Sequence, residues 1–404
     1  MRKFKIKISV LLIITIITLT LSFIGCGEDI TDPNSITVWC NLYEKEVNNL
    51  QKLADKWSEK SGINVIVEEF EVEPDDIITY GSNGADIVWG VPTGSTELLA
   101  KANAIEKVPS KEEYISKDDY VNEDLVQAAS IDNVQYGYPV NQYFVTMYYN
   151  KDLVGDLEPE TMEEVIESKK GFGVNAANYY YSYGFISAYG GYFMKNKDGQ
   201  FDKNDLGFTS EGTIKGLQFI ESLRDKGIVD EESNDDTFAS KFASGELGYY
   251  IGEQERIKKF DNKENLNYGV CTIPTLEGNT VKPYKDINMA CVISYKDKKE
   301  DSFDLLNYLI KNSADYFMEE TPCAPLFKSS LESDTFKKSK KLQSLYNQSI
   351  NTEIGCNLTS SDSIDLNVNR YLSMLVIGDY NAKECAKKLD EEVKNSMNMT
   401  TVDK

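Results

Sequence analysis

Histidine is absent from this chain of 404 residues. Without an imidazole, the chain cannot form a Ser-His-Asp triad, a Cys-His pair, a His-ligated zinc site or an imidazole proton shuttle. Any catalysis would have to use carboxylates, tyrosines, lysines or cysteines. We expect no metal site and no cofactor.

Seven cysteines are present, and no two of them form a C-x-x-C pair. Their spacing therefore predicts neither a zinc ribbon nor a redox motif. Apart from Cys26, which is treated below, we expect them to be buried free thiols that pack as small hydrophobic side chains, with disulfides as the alternative. These six are Cys40, Cys271, Cys291, Cys323, Cys356 and Cys385.

Basic residues are few relative to acidic ones: 43 Lys and Arg stand against 66 Asp and Glu, for a formal net charge of −23. Such a charge repels nucleic acid, and the chain has no basic stripe that could offset it. Phosphate-binding motifs of the G-x-x-x-x-G-K-[ST] or G-x-G-x-x-G type are also missing. We expect no nucleic-acid partner. The many carboxylates leave a catalytic pair of the glycosidase type open.

The N-terminus has the three parts of a bacterial export signal. Four basic residues precede an uncharged apolar run at 8–24, and Gly25 stands directly before Cys26. A basic start, an apolar run and a small residue before the cleavage point are typical of a secretory signal. The pattern predicts that residues 1–25 are removed, that Cys26 is acylated, and that residues 26–35 form a lipidated tether. An uncleaved membrane helix is the alternative.

Strand and helix patterns alternate from Ile36 onward. The runs ITVW (36–39), NVIVEEF (64–70) and ADIVW (85–89) predict strands, and apolar residues recur at helical spacing over 47–60 before Gly62. This order predicts parallel pairing in an α/β sheet. Further strands are expected at 248–252, 268–274 and 290–295, further helices at 211–226, 302–311 and 382–398, and a polar hairpin or surface loop at 195–205.

Aromatic residues are the candidate ligand contacts. Trp39 and Trp89 each end a predicted strand, and ligands of open α/β sheets bind beyond the carboxyl ends of the strands. Tyrosines cluster at 136–149 and 179–192. A tyrosine offers an apolar plane and a hydrogen-bonding hydroxyl, which suits a polar, ring-shaped ligand. The alternative is that both tryptophans are core residues and that most of the tyrosines pack against the sheet or in an interface.

Several stretches together resemble a known family. They include ITVWCN, LADKWSEKSGINVIVEE, GADIVWG, QYGYPVNQYFVTMYYNKDLV and the block from AYGGYFMKNKDGQFDKNDLGF through FASGELGYYIGEQE to NYGVCTIPTLEGNTVKPY, and they span most of residues 36–295. With these stretches the chain resembles the extracellular solute-binding proteins of ATP-driven (ABC) importers, specifically the maltose/maltodextrin-binding group.

The resemblance implies a two-lobed α/β fold of the periplasmic-binding-protein type, with an interlobe cleft and crossover hinge segments. It places the first lobe at 36–141 plus 280–318 and the second at 142–279 plus 319–404. The crossovers are expected near 140–145, 273–287 and 313–327.

The resemblance also implies ligand contacts, residue by residue. Trp89 falls on the family's aromatic contact of the first lobe and Tyr180 on that of the second. Asn178 stands where the family has a carboxylate that bonds sugar hydroxyls. Asn41, Tyr43 and Glu44 lie in the loop after Trp39, where maltose binders carry an Asp-Lys pair.

Other positions depart from the maltose binders. Pro92 and Thr93 replace an Asp-Arg pair, Tyr143 replaces a crossover Glu, and Gln254 replaces a Trp platform. The family match therefore implies the fold without specifying maltodextrin. Asp286 is a further candidate for bonding sugar hydroxyls.

From these residues we expect a non-catalytic monomer on the outer face of the cell membrane that binds a sugar or oligosaccharide and passes it to ABC permease subunits. A peptide or polyamine is the alternative ligand, with Glu44 or Glu253 facing the cleft. An enzyme alternative is a cell-surface glycosidase with two cleft carboxylates roughly 5–10 Å apart. A structural lipoprotein would have a filled interlobe region and Trp89 buried in a core.

Overall fold

The computed structural model describes residues 34–71, 73–197, 200–355 and 361–399. The expected signal at 1–25, the acylated Cys26 and most of the tether lie outside the described residues, as does Cys356. Within those ranges, no helix is both long enough and apolar enough to cross a membrane.

The strands belong to one nine-stranded sheet and two small hairpins. Their bounds are β1 (Ser35–Cys40), β2 (Asn64–Glu69), β3 (Ile87–Pro92), β4 (Ser130–Ile131), β5 (Val134–Gln135), β6 (Tyr138–Asn150), β7 (Phe172–Gly173), β8 (Met194–Lys197), β9 (Gln200–Leu206), β10 (Tyr249–Glu253), β11 (Tyr268–Cys271), β12 (Tyr284–Val292) and β13 (Glu353–Ile354).

The α-helices cover the sheet. Their bounds are α1 (Glu44–Ser61), α2 (Pro74–Tyr80), α3 (Thr96–Lys101), α4 (Glu123–Ala128), α5 (Lys151–Val154), α6 (Met162–Glu167), α7 (Tyr179–Ser187), α8 (Glu211–Asp225), α9 (Asp235–Ala243), α10 (Arg256–Asp261), α11 (Lys299–Glu320), α12 (Asp334–Lys338), α13 (Lys340–Ser349), α14 (Ser361–Ile377) and α15 (Ala382–Met399).

The large sheet runs in the order β2-β1-β3-β12-β6-β10-β7, with β11 beside β6 and β13 beside β12. Strands β2 and β3 both pair with β1 in parallel, so the parallel pairing expected from the sequence is confirmed. Strand β12 is antiparallel to both β3 and β6. The expected hairpin at 195–205 is also present, as the antiparallel pair β8–β9.

Helix α1 illustrates how local signals set the element bounds. The Tyr43 backbone N–H donates to Glu46 Oε2 at 3.0 Å, which satisfies one backbone donor where the helix begins. Val47 and Leu50 form the buried face. The helix ends before Gly62, whose φ of 75° lies in the left-handed region that glycine adopts without strain.

Strand β6 is the longest strand and pairs in both halves of the sheet. Its first half, Tyr138–Phe144, pairs with β12, and its second half, from Val145, pairs with β10 and β11. The change of partner occurs at Phe144 and Val145, within the crossover expected at 140–145.

The hydrophobic core divides on either side of this change of partner. Ile36, Leu50 and Leu306 belong to one group of buried side chains, which helices α1 and α11 cover. Phe185 and Leu217 belong to another, built around helices α7, α8, α14 and α15. A further group of buried side chains lies in each half of the sheet. Each half thus has its own core, made of two such groups, as a two-lobed α/β protein requires.

Two elements are longer than the sequence pattern indicated. Helix α11 continues to Glu320, past the expected end at 311, because Phe317 and Met318 resume its buried face after a polar turn. Strand β12 begins at Tyr284 instead of 290, because Tyr284, Lys285 and Ile287 are all buried between neighbouring strands.

Five cysteines lie in the described part of the chain, and all five are free thiols. Four of them are buried, and Cys323 is half-buried. Burial raises the pKa of the Cys323 thiol to about 12, which keeps it protonated and unreactive at neutral pH. The expectation of free thiols is confirmed for these five residues.

Close packing of helices α7 and α8 generates the first prediction. A Cβ atom at Gly216 would lie 2.4 Å from Ile186 Cα, which is inside van der Waals contact. We expect Gly216→Ala to lower the free energy of unfolding by about 1–3 kcal/mol, although alanine favours a helix over glycine by about 1 kcal/mol. Urea denaturation followed by circular dichroism measures the change.

The matched control for Gly216→Ala is Gln218→Ala, at an exposed position of the same helix. It should leave the stability unchanged or slightly higher. Equal stability of the two variants would show that helix α8 can move away from α7 at no cost.

Candidate ligand-binding site

A cavity of about 380 Å³ lies between segments that belong to the two cores. Strands β3, β6 and β12 line it from one side, and helix α7 and the end of β10 line it from the other. The lining residues are Pro92, Tyr143, Phe144, Tyr180, Glu253, Gln254, Glu255, Asp286, Ile287 and Asn288.

A second cavity of about 310 Å³ adjoins the first and shares four residues with it, Tyr143, Gln254, Glu255 and Asn288. Its remaining wall comes from the loop after β1, the start of α1 and the segment after α11. Those residues are Asn41, Leu42, Tyr43, Glu46, Glu69, Asn141, Thr321 and Cys323. We call the two cavities together the cleft.

Tyr180 stands in the first turn of helix α7, where Asn178 positions it. The Asn178 side chain accepts a hydrogen bond from the Tyr180 backbone N–H at 2.9 Å and so caps the helix. The Tyr180 ring meets Tyr181 edge to face, with centroids 5.5 Å apart. Burial, together with the nearby Asp286, raises the pKa of Tyr180 well above its usual range, so the hydroxyl stays neutral.

Tyr143 contributes to both cavities from strand β6. Its hydroxyl accepts a hydrogen bond from Asn141 Nδ2 at 2.8 Å, which leaves its own proton available to a ligand. Its register partner on β12 is Asp286, so the two residues lie side by side across the sheet. Burial raises the pKa of Tyr143, with a further contribution from Glu255.

Gln254 is 1% exposed and lines both cavities. Its Nε2 donates to the Gln142 carbonyl, which fixes the orientation of the amide. Its Oε1 has no hydrogen-bond partner in the described part of the chain. A buried acceptor without a donor costs free energy. The wall of the cleft therefore contains an acceptor that still lacks a hydrogen-bond donor.

Two carboxylates flank Gln254. Glu253 Oε1 accepts a hydrogen bond from the Tyr181 hydroxyl at 2.7 Å. Burial raises the pKa of Glu255, and the negative charges of Glu253 and Glu46 add to the effect. The chain therefore keeps Glu255 close to other carboxylates, in a place where its charge is unfavourable.

The structure brings together most of the site residues expected from the sequence. Tyr143, Tyr180, Gln254 and Asp286 line the first cavity. Asn41 and Tyr43 line the second, although Tyr43 is 66% exposed. Asn178 serves as the helix cap described above, and Glu44 lies on the exposed first turn of α1, outside the residues that line the cleft.

Trp89 differs from the expectation. It is 2% exposed and packs against Phe317 of helix α11, with ring centroids 6.0 Å apart, in the core next to α1. The physical reason is that β3 continues three residues past Trp89 to Pro92. The strand end that borders the cleft is therefore Pro92, and Trp89 lies within the sheet.

Trp39 likewise packs within the protein. Its ring stacks on Phe70 with centroids 4.2 Å apart, and its Nε1 donates to Glu68 Oε2 at 3.2 Å. Both tryptophans therefore lie in the core, which was the alternative to their contact with a ligand.

Sequence reasoning missed Glu255, Ile287 and Asn288. The last two precede the run ACVISY, at which strand β12 was expected to begin, so they were assigned to no element. Glu255 follows Gln254 directly, and its proximity to Glu46, far away in the sequence, depends on the tertiary fold.

A third cavity, of about 590 Å³, lies beyond Pro92 and is lined by Thr93, Ser130, Phe201 and Gly355, among others. A Cβ atom at Gly355 would lie 3.1 Å from Asp286 Oδ1, so a wall residue of this cavity is a neighbour of a wall residue of the first one.

The cap at Asn178 generates the second prediction. We expect Asn178→Ala to lower the free energy of unfolding by about 1 kcal/mol, because the Tyr180 backbone N–H loses its acceptor. Asn178→Asp keeps an acceptor at the helix N-terminus and should retain the stability. Urea denaturation of both variants checks this, and equal stabilities would contradict the capping role.

The raised pKa of Glu255 generates the third prediction. The folded state favours its protonated form, so the stabilising contribution is fully present below the unfolded pKa of about 4.3 and is lost as pH rises through the folded pKa. At pH 7 the Glu255→Gln variant should therefore have the higher free energy of unfolding, and below the unfolded pKa the difference should disappear.

Urea denaturation at several pH values measures this difference. The control is Glu59→Gln, which removes one exposed carboxylate from helix α1 outside the cleft. If Glu255→Gln and Glu59→Gln change the stability equally at pH 7, the cleft does not disfavour the charge of Glu255.

Comparisons with known proteins identify relatives of this chain. The chain is 25% identical to the galactooligosaccharide-binding protein of Bacillus subtilis (strain 168) over an alignment of 422 positions, gaps included, which covers 97% of both chains. It is 31% identical to a maltooligosaccharide ABC transporter solute-binding lipoprotein of Streptococcus pneumoniae (strain ATCC BAA-255 / R6) over 158 residues, 35% of this chain and 36% of that one.

A solved structure shares the fold. A cyclo/maltodextrin-binding protein complexed with maltotetraose superposes with a TM-score of 0.83 at 20% identity, covering 92% of this chain and 99% of that one. The expected two-lobed α/β fold is thereby confirmed. Residues 52–344 match the family model described as bacterial extracellular solute-binding protein. The chain belongs to the family of bacterial extracellular solute-binding proteins.

Proposed function

We propose that this protein binds a sugar or oligosaccharide in the cleft and delivers it to the permease subunits of an ABC importer. It acts as a monomer on the outer face of the cell membrane, to which the acylated Cys26 anchors it. It performs no chemistry on the solute.

The observation that carries the proposal is the lining of the cleft. Tyr143 and Tyr180 supply aromatic planes with neutral hydroxyls, and Gln254, Asp286 and Asn288 supply amide and carboxylate groups. Sugar rings have apolar C–H faces that stack on aromatic planes and hydroxyls that need polar partners. The two adjoining cavities, of about 380 and 310 Å³, give the cleft room for more than one sugar ring.

The names of relatives support the same solute class. The Bacillus relative, aligned over nearly the whole chain, is a galactooligosaccharide-binding protein, and the structural neighbour holds maltotetraose. The Streptococcus relative is named an ABC transporter lipoprotein, which supports both the importer and the lipid anchor proposed for this chain.

We further propose that the two cores move as two lobes, made of residues 36–141 plus 280–318 and of 142–279 plus 319–404. The segregated cores support this division with two exceptions: Val281 and Tyr284 pack in the core of the second lobe, and Leu326 and Phe327 pack in that of the first. Lobe closure would bury the solute and create the surface that the permease recognises.

The alternatives differ in what they require of the cleft. A structural lipoprotein would have a filled interlobe region. Trp89 is indeed buried in a core, but the cavities of about 380 and 310 Å³ leave the cleft open. A glycosidase would turn over its substrate, whereas membership of a solute-binding family supports binding alone.

The fourth prediction concerns thermal unfolding with a panel of maltodextrins, galactooligosaccharides, short peptides and polyamines. A solute that binds only the folded state stabilises it by about 2.7 kcal/mol at one hundred times its dissociation constant. We expect a shift with one class of oligosaccharide. Shifts with peptides alone would contradict the proposal that the solute is a sugar.

Two variants of Tyr180 test whether the solute binds beside this residue. Tyr180→Ala should abolish the shift because it removes the aromatic plane, whereas Tyr180→Phe keeps the plane and should retain most of it. If both variants behave like the wild type, the solute does not contact Tyr180.

Prolonged incubation with the bound oligosaccharide should release no shorter sugars, and their release would support the glycosidase alternative.

A further inference from the structure

The charge of the cleft narrows the chemical class of its solute. Five carboxylates line the two cavities: Glu46, Glu69, Glu253, Glu255 and Asp286. Among the residues that the structure describes, no Lys or Arg side chain lines either cavity. The cleft is therefore rich in hydrogen-bond acceptors and carries an excess of negative charge.

The positive charges of Lys259 and Arg256 partly offset the raised pKa of Glu255, but neither residue forms an ion pair with Glu255 in the described part of the chain. Arg256 follows Glu255 in the chain, but its guanidinium forms ion pairs with Asp235 and Asp236. Lys45 forms an ion pair with Glu320 at 2.9 Å. Lys258 lies over the Tyr43 ring, with its Nζ 5.4 Å from the centroid.

Neither Glu253 nor Glu255 takes part in an ion pair in the described part of the chain. Closing the cleft over a neutral solute would remove water from both carboxylates and replace it with hydroxyl donors alone. Desolvation of a charge without a counter-charge is unfavourable. A cation placed between them would offset that cost.

A second, independent feature points to the same kind of group. The buried Oε1 of Gln254 lacks a donor, and Gln254 lies directly between Glu253 and Glu255 in the chain. A protonated amine has three donors and no acceptor. The rings of Tyr143 and Tyr180 can add cation–π attraction.

We infer that the solute of this cleft is an oligosaccharide that carries at least one protonated amino group, an amino-sugar oligosaccharide. The inference rests on the proposed function, because the sugar rings account for the aromatic lining of the cleft. The amino group accounts for the carboxylates on either side of Gln254.

The fifth prediction compares four probes by calorimetric titration of the purified protein at about pH 6. The probes are the β-1,4-linked trisaccharide of glucosamine, its fully N-acetylated counterpart, maltotriose and spermidine. We expect the glucosamine trisaccharide to bind at least about tenfold more tightly than the two neutral trisaccharides. Its affinity should fall as the salt concentration rises.

The Glu255→Gln variant tests whether the preference for the amino trisaccharide arises from the cleft. It should lose most of the preference for the amino trisaccharide, and the third prediction indicates that it folds stably. Glu59→Gln makes the same change in net charge outside the cleft and should keep the preference. If both variants keep it, Glu255 does not recognise the amino group, and the inference fails.

The outcomes separate this inference from the proposed function. Binding of a neutral trisaccharide as tight as that of the amino trisaccharide would overturn the inference and support sugar binding. Binding of spermidine without any trisaccharide would overturn both. Failure of the glucosamine trisaccharide to bind at millimolar concentration would overturn the inference as well.

Discussion

The pairing of strand β6 with β12 on one side and β10 on the other is the constraint on which the rest of the structure depends. Because one strand belongs to both halves of the sheet, the two cores are joined through continuous backbone hydrogen bonds. The cleft lies where the partner changes. The same register places Tyr143 beside Asp286 in the wall of the cleft, so the sheet itself positions two of the polar groups that meet the solute.

The other wall depends on how helix α7 is held. Asn178 caps its first turn, and the close approach of α8 at Gly216 fixes its axis against the second core. Tyr180 therefore stands on a helix whose start and packing are both determined, and its ring needs little reordering when a solute arrives. A side chain that is already ordered loses less conformational entropy on binding.

Much of the fold could be predicted from local patterns, and the site only in part. Periodicity predicted β1, α1 and α8 within three residues of their bounds, because their apolar residues recur at strand or helix spacing. Trp89 shows the limit. Its place in the core depends on β3 running on to Pro92, which the apolar run alone did not reveal. The raised pKa of Glu255 comes first from burial and then from the charges of Glu253 and Glu46. Burial and the proximity of Glu46, about two hundred residues away, depend on the tertiary fold, and no local pattern encodes them.

The negative charge of the cleft does not come from a shortage of nearby cations. Arg256 is adjacent to Glu255 in the chain, but its guanidinium is engaged by Asp235, which also accepts a hydrogen bond from Tyr250. The buried Asp235 thus pairs with the guanidinium of Arg256. Glu253 and Glu255 take part in no ion pair within the described residues, and burial of Glu255 beside other carboxylates lowers the stability of the solute-free protein. Sites that lower stability in this way are commonly the sites of function, because binding removes the unfavourable interaction.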